Sequence, residues 1–167
     1  NINYKYMKKI TLSLLTLFTC WQIDAQVNGY GFSQSAGTFT PITGGTVLAT
    51  PSADDAQYSV VLPTAFTFNG TSFTDVRVSS NGFITFGTTN PGTSNYTPIS
   101  STTAYAGSIS AYGRDLNSVG AGSETRWQQV GNEIIFQWLN VRRYNIAGEQ
   151  ANFQIRLNTS NNEIKVV

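Results

Sequence analysis

The chain has 167 residues, with ten basic and nine acidic side chains, one cysteine and no histidine. Without histidine, Ser-His-Asp and Cys-His catalysis are excluded, as are zinc sites of the usual Cys/His kind. Three lysines and one aspartate fall within the first 26 residues, so seven basic and eight acidic groups remain, a net charge of about −1. With no basic stripe and no polybasic patch, we expect no binding to nucleic acid or to a membrane surface.

The N-terminus has the order of a cleavable signal peptide. Two lysines follow Met7, an apolar run covers residues 10–21, and the small residue Ala25 comes soon after. The run has about a dozen residues, whereas a membrane-spanning helix needs about 20. We therefore predict a helical signal peptide over residues 1–25, with translation starting at Met7 and cleavage after Ala25 or Gln26. The mature protein is then secreted or held at the cell surface, with no membrane span.

Cys20 lies inside the apolar run. Leu17-Phe18-Thr19-Cys20 faintly resembles a lipoprotein attachment site, but Thr19 is larger than the Gly, Ala or Ser usual at that position. Lipidation of Cys20 therefore stays open beside a plain cysteine of the apolar run. The mature part has no cysteine, so it must form a core without disulfides, and its length of about 140 residues is sufficient.

Short apolar runs separated by Gly, Asn and Ser predict strands and turns after residue 26. The clearest are three consecutive strands at residues 60–68, 72–80 and 83–87. Asn69-Gly70 and Asn81-Gly82 lie between them, and an Asn-Gly pair favours a type I′ hairpin because both central residues need positive φ. Residues 34–55, rich in Gly, Thr, Pro and Ser, are expected to hold one or two edge strands and loops.

The second half of the chain has the same character. A short strand is predicted at residues 108–112, then a hairpin of residues 124–130 and 133–144, and then strands around residues 153–157 and 163–167. The run 134–141 is apolar on both faces, which indicates a central strand. No segment after Gln26 has helical periodicity.

The fold class follows from these elements. We predict an all-β domain over residues 26–167, an antiparallel β-sandwich or jelly-roll-like fold. Because the chain stops inside an apolar strand, we expect the domain to be truncated at its C-terminus and followed by further domains of the same protein.

Aromatic and cationic side chains on the predicted strands are candidate ligand contacts, because sugars stack on exposed aromatic faces and guanidinium groups bind anions. The candidates are Trp127, Tyr112, Tyr144 and Arg142. Trp138 alternates with apolar neighbours and is assigned to the core. For Arg142-Arg143 the surface end of a strand is favoured over an anion site.

Two acidic segments offer oxygen ligands of the kind that calcium prefers. They are Asp54-Asp55 and Asp115-Leu116-Asn117, and neither has the spacing of a dedicated calcium loop. Asp115 and Asn117 are the candidate ligands of a structural calcium ion, and no other cofactor is expected. Asp115 with Glu124 or Glu133 would also supply the two carboxylates, about 5–10 Å apart, that a glycosidase needs. Solvated or ion-paired carboxylates at strand ends are the favoured interpretation.

One long motif carries a family resemblance. Residues 66–87 contain F-x-F-x-G followed by V-x-V-S-S-N-G-x-I-x-F, which resembles the core of nidogen-like β-sandwich ectodomains. Residues 153–157 and 161–167 are similar to their later hairpin. The stretch 30–167 resembles the N-terminal module of large secreted or surface proteins of Bacteroidetes, many of them substrates of the type IX secretion system. The resemblance brings no catalytic residues, and Ser80-Asn81-Gly82 is interpreted as a turn before it is considered as a ligand contact.

Three functions stay open. The favoured one is a non-catalytic extracellular module of a larger secreted or cell-surface protein, with a role in adhesion or as a spacer and with a glycan or a protein as partner. The second is a carbohydrate-binding module attached to a downstream hydrolase. The third is a small β-sandwich hydrolase that uses carboxylates.

Overall fold

The computed structural model describes residues 29–167. The predicted signal peptide, with Met7 and Cys20, lies outside the described residues. The chain divides into two compact units, and the second, Gln34–Val167, contains every strand of the described part. Residues 29–33 belong to the first unit and are exposed. Within residues 29–167, no helix has the length and apolar character needed to cross a membrane.

Short strands dominate the second unit. In chain order they are β1 (Thr46–Ala49), β2 (Ala53–Asp54), β3 (Gln57–Phe68), β4 (Thr71–Ser79), β5 (Phe83–Phe86), β6 (Ser108–Ser110), β7 (Leu116–Ser118), β8 (Glu124–Val130), β9 (Glu133–Arg143), β10 (Ala151–Asn158) and β11 (Ile164–Val166). A single 3-10 turn, Pro98–Ser100, lies between β5 and β6. All predicted strands are confirmed, whereas the short strand β7 was not predicted.

The strands form two antiparallel sheets. The first has the order β1-β8-β9-β10-β11, and β7 continues the ladder at the end of β9 and pairs with β2. The second has the order β3-β4-β5-β6. As predicted, β9 is central, since it pairs with β8 on one side and β10 on the other.

The apolar faces of the two sheets share one core, which confirms the predicted β-sandwich. Phe68 and Phe86 stack with ring centroids 4.6 Å apart inside the second sheet's face. Trp138 of β9 is fully buried and donates its indole N–H to the backbone oxygen of Ser79 at 2.9 Å. This bond joins the first sheet to the end of β4, and Trp138 belongs to the core as expected.

The two Asn-Gly pairs form different turns. At Asn69-Gly70 both residues have positive φ (49° and 74°), which confirms the type I′ turn. At Asn81-Gly82 only Gly82 has positive φ (80°), so the type I′ expectation is wrong there. Ser79 pairs with Phe83 across a three-residue loop, and the N–H of Gly82 donates to the oxygen of Ser79 at 3.3 Å. Asn81 keeps negative φ because a three-residue loop of this kind needs positive φ only at its last residue, which is Gly82.

The buried side chain of Asn81 connects three segments. Its Oδ1 accepts a hydrogen bond from the N–H of Leu116 at 2.8 Å, at the start of β7. Its Nδ2 donates to the backbone oxygens of Asn95 (3.3 Å) and Thr93 (3.4 Å) in the loop after β5, and to Asp55 Oδ1 (3.4 Å) just after β2. Asn81 has no exposed surface and its bond to Leu116 is buried, so the N–H of Leu116 would be left without an acceptor or water if the amide were removed.

Gly82 is required by space as well as by backbone conformation. A Cβ atom at this position would lie 3.0 Å from the Phe153 ring, 3.1 Å from Leu116 Cδ1 and 3.1 Å from Tyr112 Cβ. Three elements therefore approach the turn closely because it carries no side chain there. Ser80-Asn81-Gly82 is thus the structural turn that the sequence indicated.

Residues 40–44, here called the strap, cover the outer face of the first sheet. Gln137 and Gln154 are neighbours on β9 and β10, are fully buried, and bond to each other at 2.8 Å. Gln137 also exchanges two hydrogen bonds with the backbone of Ile42, at 2.8 and 3.2 Å, and Gln154 donates to the oxygen of Thr40 at 2.9 Å. The strap gives two polar side chains their partners, and the expected edge strands of residues 34–55 follow it as β1 and β2.

We predict that Asn81→Ala destabilises the domain by about 1–3 kcal/mol, because it leaves the N–H of Leu116 buried without an acceptor. Thermal or denaturant unfolding of the purified chain checks this. Asn132→Ala, which removes an exposed amide from the β8–β9 turn, is the matched control and should change stability by about 0.5 kcal/mol or less. Equal effects of the two substitutions would show that the Asn81 bonds do not stabilise the fold.

Candidate functional site

The structure brings two of the four predicted ligand residues into one cleft. The cleft has a volume of about 580 Å³ and is lined by Tyr112 and Arg114, by Arg142 and Arg143, and by residues 148–151. It lies where the loop after β6, the end of β9 and the start of β10 meet. Arg114, Arg143 and Glu149 line it too and were not among the predicted ligand residues.

Tyr112 forms one wall, and the turn at Gly82 positions it. The oxygen of Gly82 accepts hydrogen bonds from the N–H groups of Ala111 (3.1 Å) and Tyr112 (3.4 Å). The Tyr112 ring stacks on Phe153 with centroids 5.6 Å apart, and Phe153 stacks in turn on buried Trp138 at 5.1 Å. The stack fixes the plane of an aromatic ring that is still 43% exposed.

Arg142 and Arg143, at the end of β9, also line the cleft. Their backbone is held by β7, because Asn117 pairs with Arg142 and Leu116 pairs with Arg143. Arg142 Nε also donates to Asn117 Oδ1 at 3.4 Å. The side-chain oxygen of Asn117, a predicted calcium ligand, thus accepts a hydrogen bond from a guanidinium group.

Only one of the cleft's arginines is neutralised by a carboxylate. Arg143 forms a two-pronged ion pair with Glu149, with Nε to Oε2 at 2.7 Å, and these bonds hold the pKa of Glu149 below its ordinary value. Arg114 and Arg142 have no ion pair within residues 29–167. The residues that line the cleft therefore carry three positive charges and one negative charge, a balance that suits an anionic group.

The other two predicted ligand residues lie elsewhere. Trp127 is on β8, opposite Phe136, and is partly buried against the core. Tyr144 follows β9, is 44% exposed, and donates its N–H to the oxygen of Asp115 at 2.9 Å, but its side chain does not line the cleft. A ligand role for either residue stays a prediction.

The two predicted acidic segments meet in space. Asp54, Asp55 and Asp115 place one carboxylate oxygen each within 4.8 Å of the others. Such oxygen donors suit calcium, and the ion itself stays a prediction. Asp115 reaches this cluster from the residue before β7, and Asp54 from β2, so the short β2–β7 pairing brings the segments together.

Crowding raises the pKa of two of these carboxyl groups. For Asp54 the causes are partial burial and then the negative charges of Asp55 and Asp115. For Asp115 they are partial burial and then the charge of Asp55. Because the folded state holds these protons more tightly than the unfolded chain, their stabilising effect is complete at low pH and is lost as pH rises through the raised pKa values.

We predict that Asp54→Asn and Asp115→Asn each raise the melting temperature at pH 7 when no divalent ion is present, by an amount worth less than about 1 kcal/mol. The reason is that each removes a charge from a mutually repelling cluster. The gain should disappear below about pH 3.5, where carboxyl groups are protonated. Asp75→Asn, on β4 outside the cluster, is the control. A gain that is independent of pH would contradict the explanation.

The melting temperatures of the same proteins can also be measured with added calcium. If the cluster holds the ion, millimolar Ca²⁺ should raise the melting temperature of the unaltered chain but not of the Asp54→Asn, Asp115→Asn double variant. An equal response of both proteins would remove the cluster as the calcium site.

The comparisons with known proteins agree with this architecture. No curated protein and no solved structure matches the chain. One family model does match, described as NIDO related, over residues 29–167. That range contains both sheets, the turn at Asn81-Gly82 and the cleft. Since the match covers most of the sequence, the chain belongs to the NIDO-related, that is nidogen-related, family.

Proposed function

We propose that this domain is a non-catalytic interaction module of a larger secreted or cell-surface protein, acting in adhesion or as a structural spacer. The observation that carries the proposal is the contrast between the buried polar residues of the family motif and the exposed polar residues of the cleft. The family motif around Asn81 is buried within the fold, while the positive cleft is open to solvent. Membership of a nidogen-related family fits a module of this kind.

The glutamates support a non-catalytic role. Each glutamate within residues 29–167 forms an ion pair with an arginine or a lysine. Glu133 begins β9 and Asp115 lies beside its far end, where Tyr144 donates to the Asp115 oxygen. A strand of that length spans about 33 Å, whereas two glycosidase carboxylates lie about 5–10 Å apart. Glu124 has both of its oxygens bonded to Arg126.

The alternative is a carbohydrate-binding module attached to a downstream hydrolase domain, and the tryptophans do not support it. Trp138 is fully buried and Trp127 is partly buried against the core. Neither offers the open ring face on which a sugar stacks. Tyr112 is the exposed ring with a fixed plane, and it lies in a charged cleft instead of on a flat aromatic surface.

The extracellular setting is proposed from the N-terminal sequence. The basic residues after Met7 and the apolar run 10–21 support export, and the resemblance to Bacteroidetes surface proteins supports the type IX route for the parent protein. We expect the mature protein to begin near residue 26 and to meet its partners outside the cell.

Export is testable by expressing the full chain in a Gram-negative host and sequencing the N-terminus of the exported product. We expect cleavage after Ala25 or Gln26. Leu14→Asp should abolish export because it places a charge in the apolar run, whereas Asn28→Asp, beyond the cut, should leave export unchanged. Retention of the whole unprocessed chain inside the cell would contradict an extracellular function.

Interaction is testable by coating beads with the purified chain and measuring their retention under flow on surfaces of polysaccharide or of extracellular protein. A module of the proposed kind should hold the beads in a saturable way, and soluble chain should compete. Beads coated with heat-unfolded chain are the control, and equal retention of the two would remove the proposal.

A further inference from the structure

The cleft contains more positive charges than its ion pairs neutralise. Three of the seven cationic side chains after residue 26 line it, and only Arg143 has a carboxylate partner there. Arg142 uses its Nε on Asn117, which leaves its two terminal nitrogens without a hydrogen bond among the described residues. Arg114 is exposed and makes no hydrogen bond in the same part of the chain. Donors of this kind match the oxygens of a carboxylate or a sulfate group.

The shape and lining of the cleft indicate a ligand with a ring. Its volume of about 580 Å³ falls within the usual range of small-molecule sites, about 300–1,000 Å³. Tyr112 presents a partly exposed ring whose plane is fixed by the stack on Phe153. A sugar ring can lie with its C–H groups against such a face, while the Gln150 amide offers both a donor and an acceptor to hydroxyl groups.

We propose that the cleft binds an acidic sugar unit of a polysaccharide, through its carboxylate or sulfate group. This rests on the proposed function as an extracellular interaction module, and it names the ligand class. The anionic group would lie between Arg114 and Arg142, with the sugar ring against Tyr112. Specificity then comes from one charged group and one ring face held by a rigid frame.

Two other classes of partner fit the lining less well. A peptide anchored by apolar side chains needs an apolar pocket, and Ala151 is the one aliphatic side chain among the lining residues. A nucleic acid needs a run of cations along its backbone, and here the uncompensated charge is limited to two arginines. An acidic sugar needs only one local anion site and one ring face.

Substitution of Glu149 also tests the proposal, because it should strengthen ligand binding instead of weakening it. Its ion pair with Arg143 withholds a third guanidinium group from the ligand. If an anion binds beside it, Glu149→Gln should release Arg143 and remove a repelling charge. Binding should then become tighter, by about two- to fivefold if the freed interaction has the strength of an exposed ion pair.

The experiment is calorimetric titration of the purified chain with oligogalacturonate and with dextran sulfate, in parallel with neutral dextran and poly-glutamate. We expect saturable binding to at least one acidic saccharide and none to dextran. Arg142→Gln and Arg114→Gln should each weaken it about ten- to a hundredfold. Arg142→Lys should restore part of that loss, and Lys165→Gln, which removes a charge on β11 outside the cleft, should change nothing. Tyr112→Ala should weaken binding of the saccharide more than binding of inorganic sulfate.

Each contrary result overturns the proposal in a recognisable way. Equal losses for Arg142→Gln and Lys165→Gln would show general charge attraction, and poly-glutamate that binds as tightly as the saccharide would assign the cleft to acidic peptides. No binding to either acidic saccharide, with bead retention intact, would remove the acidic-sugar ligand and leave the interaction module standing. Loss of bead retention as well would remove both. The relative affinities for galacturonate and sulfate identify the anionic group, and melting curves of the variants confirm that they are folded.

Discussion

The buried amide of Asn81 is the interaction on which the arrangement of this domain depends. A side-chain amide with no exposed surface must find partners for its donors and its acceptor, because leaving such a group unpaired costs about 1–3 kcal/mol. Asn81 finds them on three separate backbone groups, at Leu116, Thr93 and Asn95. The amide therefore holds segments that the sheets alone would leave apart. Its neighbour Gly82 allows Phe153, Leu116 and Tyr112 to approach the turn because it has no side chain.

The same turn determines where the cleft lies. Leu116, whose N–H donates to Asn81 Oδ1, begins β7. Because β7 pairs with the end of β9, it holds the backbone of Arg142 and Arg143 in place. The oxygen of Gly82 holds the loop that carries Tyr112. The same buried turn therefore helps to position Tyr112 and the two arginines Arg142 and Arg143, all of which line the cleft at the surface.

The local part of this structure was predictable, and the long-range part was not. Alternating apolar residues and Asn-Gly or Gly-Asn pairs mark the β3–β4 and β8–β9 hairpins, because strand period and turn chemistry act over a few residues. The backbone groups of Ile42 that bond to Gln137 lie 95 residues away in the sequence. A polar residue on an apolar strand does not by itself predict that the strap covers it. Asp115 and Asp54 meet for the same kind of reason, through the two-residue strand β2. Tyr112 and Arg142 were individually predicted as ligand residues, but their common cleft, and the place of Arg114 in it, required the three-dimensional order of the strands.

Stability alone does not account for the charges of the cleft. Exposed ion pairs contribute about 0–1 kcal/mol each, and like charges placed together oppose folding slightly. Glu149 compensates one of the three arginines that line the cleft, so two guanidinium groups there have no ion pair within residues 29–167. The other arginines of the domain are used by the structure: Arg126 and Arg156 are paired with glutamates, and Arg77 bonds to the loop after β5. Arg114 and Arg142 differ because neither forms an ion pair within residues 29–167, which is the arrangement that the proposed acidic ligand would use.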